Sequence, residues 1–213
     1  MKKQKQEILK IIIEAAKLYQ ENLLGTQLLF IFRNGKDLHF FQAAFADYHF
    51  AHLTGAVLNK RTITAKDFFQ KCIRHKLSIS DFELAPDNTT YQKSMVLKEM
   101  MKINHSAKMV GTYNKIGPLL YTEKLAGNVR GCMGFILAEG GKDGILIPNT
   151  VLRQDIRNIT SETSQLVAVY QKQAKEEKYT KLTYLTKPIQ PDSAKWPNEI
   201  ETLIDMEHIQ ICF

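Results

Sequence analysis

QLLFIFRNGKDLHFF, Gln27 to Phe41, sets an apolar run, an Asn-Gly pair and a second apolar run in direct succession. Both runs are short and aromatic-rich. The Asn34-Gly35 pair between them favours a tight turn whose central residues need positive φ, so the stretch reads as two strands of a β-hairpin. Upstream, from Gln4 to about Leu24, Ile8, Ile11, Ile12, Ala15, Leu18 and Tyr19 recur at helical spacing with Lys and Glu between them. Gly25 then serves as the helix C-cap. Downstream, a Thr64 cap with Asp67 in the first turn starts a short helix carrying Phe68, Phe69, Cys72 and Ile73 on one face and ending near Lys76. A Thr89-x-x-Gln92 capping box opens another, with Tyr91, Met95, Val96, Met100 and Ile103 facing inward.

From Lys108 the period shortens. PLLYTEKL, NVRGCMGFILAE and GILIPN are strand-like runs separated by turn signals at Gly127-Asn128 and Gly140-Gly141. PNTVLRQDIRN, Pro148 to Asn158, reads as a short capped helical turn, and QLVAVYQKQ and KYTKLTYL flank the charged AKEEK as two more strands. The segment from Pro188 to Trp196 is a loop before a final apolar stretch. The expectation is a single α+β domain over residues 1–213, with an N-terminal helix over 1–25, an antiparallel sheet in the second half and a C-terminal extension over 188–213. The early hairpin either joins that sheet or forms a small one of its own.

The 213 residues suffice for one substantial core, and 44% hydrophobic with 24% charged residues is the balance of a soluble globular chain. Lys and Arg number 29 against 22 acidic residues, a net charge of +7 that suits a polyanionic partner such as nucleic acid. Cys72, Cys132 and Cys212 are few and far apart, which fits a reduced compartment and no disulfide framework. Lys10 and Glu14 interrupt the apolar ILKIII near the start, so neither a signal peptide nor a membrane span is expected, and a cytoplasmic location follows.

Phosphate-loop, nucleophile-elbow, His-Glu-x-x-His and zinc-deaminase patterns are absent, so neither a metal site nor a cofactor is expected. Basic and aromatic residues beside polar turns are present instead: His49 and His52, Lys60 and Arg61, Tyr113 and Lys115, Arg130, Arg153 and Arg157, Tyr170 and Lys172, Lys178 and Tyr179. That inventory suits metal-independent RNA cleavage. The reaction needs a base for the ribose 2′-hydroxyl, an acid for the leaving 5′-oxygen and fixed cations for the transition-state charge. Histidine moves protons near neutral pH and arginine holds phosphate through a bidentate fork. In a helix, the spacing of His49 and His52 puts both on one face; in a strand, only one could enter a site. Arg130 sits in NVRGCMGF, where Gly131 and Gly134 either allow close approach to a ligand or form a bulge. Four residues separate Arg153 from Arg157, so a helical turn would present both to one phosphate, and a salt bridge to Asp155 is the plain alternative. Tyr170 and Lys172 share a strand face opposite Val167, Val169 and Gln171.

The succession of hairpin, FAHLTGA, AKDFFQKCIRHKLSISDF, NVRGCMGF, IPNTVLRQDIR and VYQKQAKEEKYTKLTY resembles the fourth of the phage-associated nuclease-like families in the barnase, EndoU, colicin and RelE superfamily, over roughly Gln27 to Tyr184. The resemblance implies N-terminal helices, a four-stranded antiparallel sheet and metal-independent RNA cleavage, often in a toxin encoded by a phage or mobile element. It matches His52, Thr54 and Gly55 to a His-Leu-Thr-Gly motif; Asn149, Thr150, Arg153, Asp155 and Arg157 to a Pro-Asn-Thr segment; and Tyr170, Lys172 and Tyr179 to a late strand pair. The expected catalytic set is His52, Arg153, Arg157, Tyr170 and Lys172, and the expected substrate-binding set is Thr54, Arg130, Asn149, Thr150 and Tyr179. The expected partners are RNA, tRNA and mRNA included, and an antidote or host protein, with no membrane. Two other readings fit the same residues: a nucleic-acid-binding or host-interaction protein that keeps the fold without cleaving, and a phage-encoded structural or inhibitor protein working through a protein interface.

Overall fold

Helix α1 (Lys2–Asn22) buries Ile8, Ile12, Ala15, Ala16 and Tyr19 on one side. Gly25 turns the chain at φ +71°, and its N–H donates to the carbonyl of Phe45 (2.9 Å) rather than back along the helix. The hairpin follows: β1 (Thr26–Asn34) and β2 (Asp37–Ala44) pair antiparallel from Gln27 opposite Ala44 to Asn34 opposite Asp37. Asn34 is the last residue of its strand, and of the two turn residues only Gly35 takes positive φ, +61°. A glycine at the first central position suffices for a two-residue loop.

The computed structural model describes residues 2–59, 63–115, 122–138, 144–187 and 195–213. Lys60, Arg61, the first half of PLLYTEKL, the Gly140-Gly141 turn and the Pro188 loop as far as residue 194 lie outside the described residues. After the hairpin come α2 (His49–Thr54), β3 (Val57–Leu58), α3 (Ala65–Ile73), β4 (Phe82–Glu83), α4 (Thr89–Met100) and α5 (Ile103–Ser106). The β-rich half supplies β5 (Met109–Tyr113), β6 (Lys124–Gly127), β7 (Cys132–Leu137), β8 (Leu146–Leu152), a single 3-10 turn (Ile156–Asn158), β9 (Thr160–Gln173) and β10 (Lys181–Leu185), followed by α6 (Asn198–Glu201) and β11 (Gln210–Ile211).

The fold is α+β, and the hairpin joins the main sheet. Pairings run β1-β2-β8-β7-β6-β5-β9 and return to β1, so seven strands close on themselves, while β10 and β11 continue from β9. Closure depends on the 14-residue length of β9: Thr160 to Gln165 pairs with β5 and Ala168 to Gln171 with β10, while β1 runs along the opposite edge. The seam between β2 and β8 is a single parallel bridge, Ala43 opposite Leu146. The sheet is therefore wider than the four strands the resemblance implies. It is mostly antiparallel, with parallel contacts at β2–β8 and β10–β11.

Both faces of β1 are covered, which is why its run is continuously apolar rather than alternating. Leu28, Phe30 and Phe32 enter the larger core with Tyr19, Phe50, Phe68, Leu97 and Phe135. Leu29 and Ile31 enter a second core with Tyr170, Tyr179, Leu182, Trp196, Ile200 and Ile204, so residues beyond 195 pack against the sheet. Helix α3 has the expected Thr64–Asp67 capping box and buries Phe68, Phe69 and Cys72.

Three expectations change. Pro148 to Leu152 is the end of strand β8, not a helical turn; Pro148 lies opposite Phe135 where the register shifts, a bulge at which a missing N–H is tolerated. Only Ile156–Asn158 winds into a 3-10 turn, with the Asp155 side chain accepting from the Arg157 N–H. Helix α4 lacks the Thr89–Gln92 capping box. Asn88 at φ +65° enters it instead, and Asp87 accepts the Thr89 N–H at 3.0 Å. Its inner face is Thr90, Lys93, Ser94, Val96, Leu97 and Met100, leaving Tyr91 and Met95 exposed. The rotation is fixed by Thr90, whose hydroxyl donates to the Gly55 carbonyl (2.6 Å) and accepts from the Ala85 N–H (2.8 Å). In β9 a bulge at Val167 puts that residue in the same core as Tyr170, so the expected alternation holds only from Ala168 onward.

Candidate functional site

The short helix α2 packs against α3, α4 and β8. Its end is a closed turn: the Gly55 N–H donates to the His52 carbonyl (3.3 Å), and the Thr54 hydroxyl donates to the Ala51 carbonyl (2.7 Å) and accepts from the Ala56 N–H (3.1 Å). Gly55 has φ +69°, and a Cβ there would stand 2.9 Å from Lys93 Cδ and 3.4 Å from the Thr90 backbone. Positive φ and close packing both require glycine. Thr54 is buried, with its hydroxyl committed to the turn.

Two histidines on this helix have opposite environments. His49 is 6% exposed; its Nδ1 accepts from the Ala46 N–H (3.0 Å), so Nε2 carries the proton and has no partner among the described residues. Burial holds its pKa down at about 4, against the pull of Asp47. His52 is exposed and forms a hydrogen bond with the Asn149 side chain of β8. Desolvation of its ring and the nearby Lys93 charge hold its pKa below the usual histidine value, and the Asn149 bond opposes them. At neutral pH this imidazole is uncharged and able to take a proton.

Lys93 is the residue that sequence reasoning missed. It is 8% exposed on the inner face of α4, with its stem against Gly55 and its Nζ donating to the His52 carbonyl at 3.3 Å. Burial pushes its pKa down to about 8, with Asp87 countering. A lysine buried with no contacting carboxylate among the described residues is a costly arrangement of the kind that concentrates at functional sites. The available signal is the polar stripe Thr90, Lys93 and Ser94 at helical spacing, which the more apolar Tyr91 and Met95 mask.

His52 lies on the wall of a cleft of about 650 Å³ that also takes in Tyr48, Ala51, Val57, Leu58 and Thr64. That volume is in the range of small-ligand sites. Tyr48, an exposed aromatic ring beside the histidine, is a second residue the sequence reading passed over.

The structure gathers part of the expected set along α4 and β8. Arg153 follows β8 and reaches the outer face of α4, with Nη1 3.2 Å from Gln92 Oε1. Arg130, on the β6–β7 turn, stands 3.9 Å from Glu99 on the same helix. Gln92 and Glu99 are seven residues apart, about 10 Å along a helix, so these two exposed cations flank one helix whose inner lysine contacts His52. Thr150 is buried beneath Asn149, against Gly134.

The rest of the set lies elsewhere. Arg157 is locked to the carboxylate of Asp155 by Nε and Nη2 and does not join Arg153. Tyr170 is 2% exposed in the second core, its hydroxyl accepting from Trp196 Nε1 at 3.1 Å, which leaves it no access to a substrate. Tyr179 is fully buried and donates to Gln42 Oε1 (2.9 Å). Lys172 donates to the Glu177 carbonyl (2.8 Å) and lies over the Tyr179 ring. Among the described residues no three His, Cys, Asp or Glu side chains gather where a metal ion could be held, and no helix is long and apolar enough to cross a membrane.

Residues 11–187 match the model of a family described as phage-Barnase-EndoU-ColicinE5/D-RelE like nuclease4. No curated protein and no solved structure matches the chain.

Proposed function

This chain belongs to the phage-Barnase-EndoU-ColicinE5/D-RelE like nuclease4 family, and from that premise we propose that it is an endoribonuclease cleaving RNA by attack of the 2′-hydroxyl, without a metal cofactor, in the cytoplasm of a host cell. The observation that carries this reading is an exposed imidazole, uncharged at neutral pH, on the wall of a ligand-sized cleft. His52 takes the proton of the ribose 2′-hydroxyl. The 2′-oxygen attacks phosphorus, the bond to the 5′-oxygen breaks, and that oxygen leaves with a proton from water. Asn149 orients the ring. Lys93 fixes the turn beneath His52 and keeps the imidazole unprotonated, and Arg153 and Arg130 bind flanking phosphates through their guanidinium groups. Tyr48 offers a stacking face at the cleft mouth. Thr54, Thr150, Tyr170 and Tyr179 support the fold in this reading, and Arg157 and Lys172 act away from the reaction.

The test is cleavage of an RNA oligonucleotide and of its fully 2′-O-methylated counterpart in a chelating buffer. Cleavage of the RNA alone is expected, because methylation removes the proton and the nucleophile together. Cleavage of both would overturn the mechanism. Binding of the RNA with no products would favour a nucleic-acid-binding protein that has kept the fold.

A further inference from the structure

A second cleft, of about 540 Å³, opens between α5 and β10 and shares no lining residue with the cleft at His52. Its wall carries His105, Lys108, Thr183, Tyr184, Lys187 and Phe213. His105 sits on α5 with Nδ1 3.0 Å from the Thr183 carbonyl. A carbonyl only accepts, so Nδ1 carries the proton and Nε2 is left as an acceptor. Burial, seconded by the Lys102 and Lys108 charges and opposed by the Thr183 bond, keeps this imidazole neutral at pH 7.

Lys108 Nζ stands 4.0 Å from the centre of the Tyr184 ring, and its nearest hydrogen-bond acceptor is a distant one, the His105 carbonyl at 3.5 Å. Among the described residues no carboxylate pairs with Lys108 or Lys187, whereas Lys5, Lys71, Lys98 and Arg157 all have one. Two ammonium groups with no carboxylate partner among the described residues, at one concavity, make a site for an anion.

The aromatic component is Phe213. β11 pairs parallel with β10, and the Cys212 N–H donates to the Leu182 carbonyl (2.9 Å), so Phe213 is brought alongside Thr183 and Tyr184. There it is 72% exposed. An exposed phenyl ring beside these two ammonium groups supplies the two elements that bind a single-stranded nucleotide: a platform for the base and charge for the phosphate.

We propose that the α5–β10 cleft is a second nucleic-acid subsite, taking one nucleotide of a single-stranded RNA segment with its base on Phe213 and its phosphate between Lys108 and Lys187. The proposal rests on the nuclease reading for the class of ligand, and it gives the protein a grip on RNA away from the cleavage position. A uniform basic surface would not localise the chain in this way, whereas one stacking platform with two adjacent cations does.

The test uses the full chain and a short fluorescein-labelled 2′-O-methyl RNA, followed by anisotropy across a salt series. Phe213→Ala is expected to weaken binding by about fivefold to a hundredfold, the range for one stacked base. The double variant Lys108→Gln, Lys187→Gln is expected to weaken binding and to flatten the plot of log affinity against log salt by about 0.7, the share of one single-strand phosphate. Lys17→Gln, on the exposed side of α1, is the reference variant and is expected to leave the slope unchanged. Equal affinity and slope in wild type and all the variants would overturn the subsite, as would absence of binding by the wild-type chain. RNA cleavage is scored separately. A chain that cleaves RNA but shows no variant effect loses the subsite and keeps the nuclease reading, and a chain that shows the variant effects but cleaves nothing does the reverse.

Discussion

His52→Ala is expected to lower the rate of RNA cleavage by about a hundredfold to ten-thousandfold, the span ordinarily lost with a general base, while leaving the melting temperature close to that of the wild-type chain. The two halves of this expectation have different causes. The rate falls because His52 is the one imidazole on the wall of the cleft beside Tyr48, and alanine offers no group to take the 2′-hydroxyl proton. Stability holds because the ring is exposed and the turn beneath is made by main-chain atoms and by Thr54, which the substitution leaves in place. The wild-type rate should also fall on acidification, with an apparent pKa below 6.5, because desolvation and the Lys93 charge disfavour the imidazolium. Cleavage measured from pH 4 to 8 checks both points. An unchanged rate in the variant would remove His52 from the reaction.

Lys93→Met is expected to stabilise the protein and impair it at once. In the folded chain burial lowers the pKa of this lysine from 10.5 to about 8. A shift of that size corresponds to about 3 kcal/mol of penalty for holding the ammonium indoors. Below pH 8 the group is protonated in both the folded and unfolded states, so the penalty is fully present. Between pH 8 and pH 10.5 the unfolded chain binds more protons than the folded one, so wild-type stability rises with pH across this window. Methionine fills the same volume without charge. The variant should therefore be more stable than wild type at pH 7 by about 1–3 kcal/mol, part of the gain being offset by the lost bond to the His52 carbonyl, and wild type should approach it near pH 10. Cleavage should suffer in a particular way: without the neighbouring charge the acidic limb of the rate profile moves up towards the ordinary histidine pKa. Chemical denaturation at pH 7 and pH 10 beside a rate profile reads out both effects. A variant less stable than wild type at pH 7 would show that the ammonium is a structural asset rather than a functional cost.

The features legible in the sequence are those written within one local segment. The break at Gly25 and the Thr64–Asp67 cap depend on neighbours a few residues away, and each lies where its residue types put it, while the hairpin turn falls on Gly35 and Lys36, one residue later than the Asn34-Gly35 pair predicts. The His-Leu-Thr-Gly turn is local in the same sense. Features depending on distant partners were not legible. The segment from Pro148 reads as a helical turn, yet Pro148 occupies a bulge in β8 opposite Phe135 that only the β7–β8 register reveals. The outward turn of Tyr91 and Met95 is set by the Thr90 hydroxyl reaching Gly55, 35 positions earlier in the chain. Closure of seven strands requires β9 to pair on both edges, which no pattern in QLVAVYQKQ announces.

The site follows the same division. His52 and Asn149, drawn from motifs about a hundred residues apart in the chain, meet through a side-chain hydrogen bond. Arg153 and Arg157, chosen for helical spacing, separate because the segment is a strand end followed by a 3-10 turn. Tyr170 and Lys172 are paired by strand alternation and by the resemblance. The strand is real, but the face carrying Tyr170 is covered by Trp196 from the last part of the chain. Lys93 escaped notice because a lysine on a helix is ordinarily solvated, and only burial identifies this one.

The chemistry of the RNA ends tests the central claim most directly. Attack by the 2′-oxygen leaves a 2′,3′-cyclic phosphate on one fragment and a free 5′-hydroxyl on the other, whichever sequence is cut. Wild-type protein incubated with RNA in a chelating buffer should yield fragments carrying those ends, resolved by mass spectrometry. Fragments ending in a 3′-hydroxyl and a 5′-phosphate would contradict the proposed reaction.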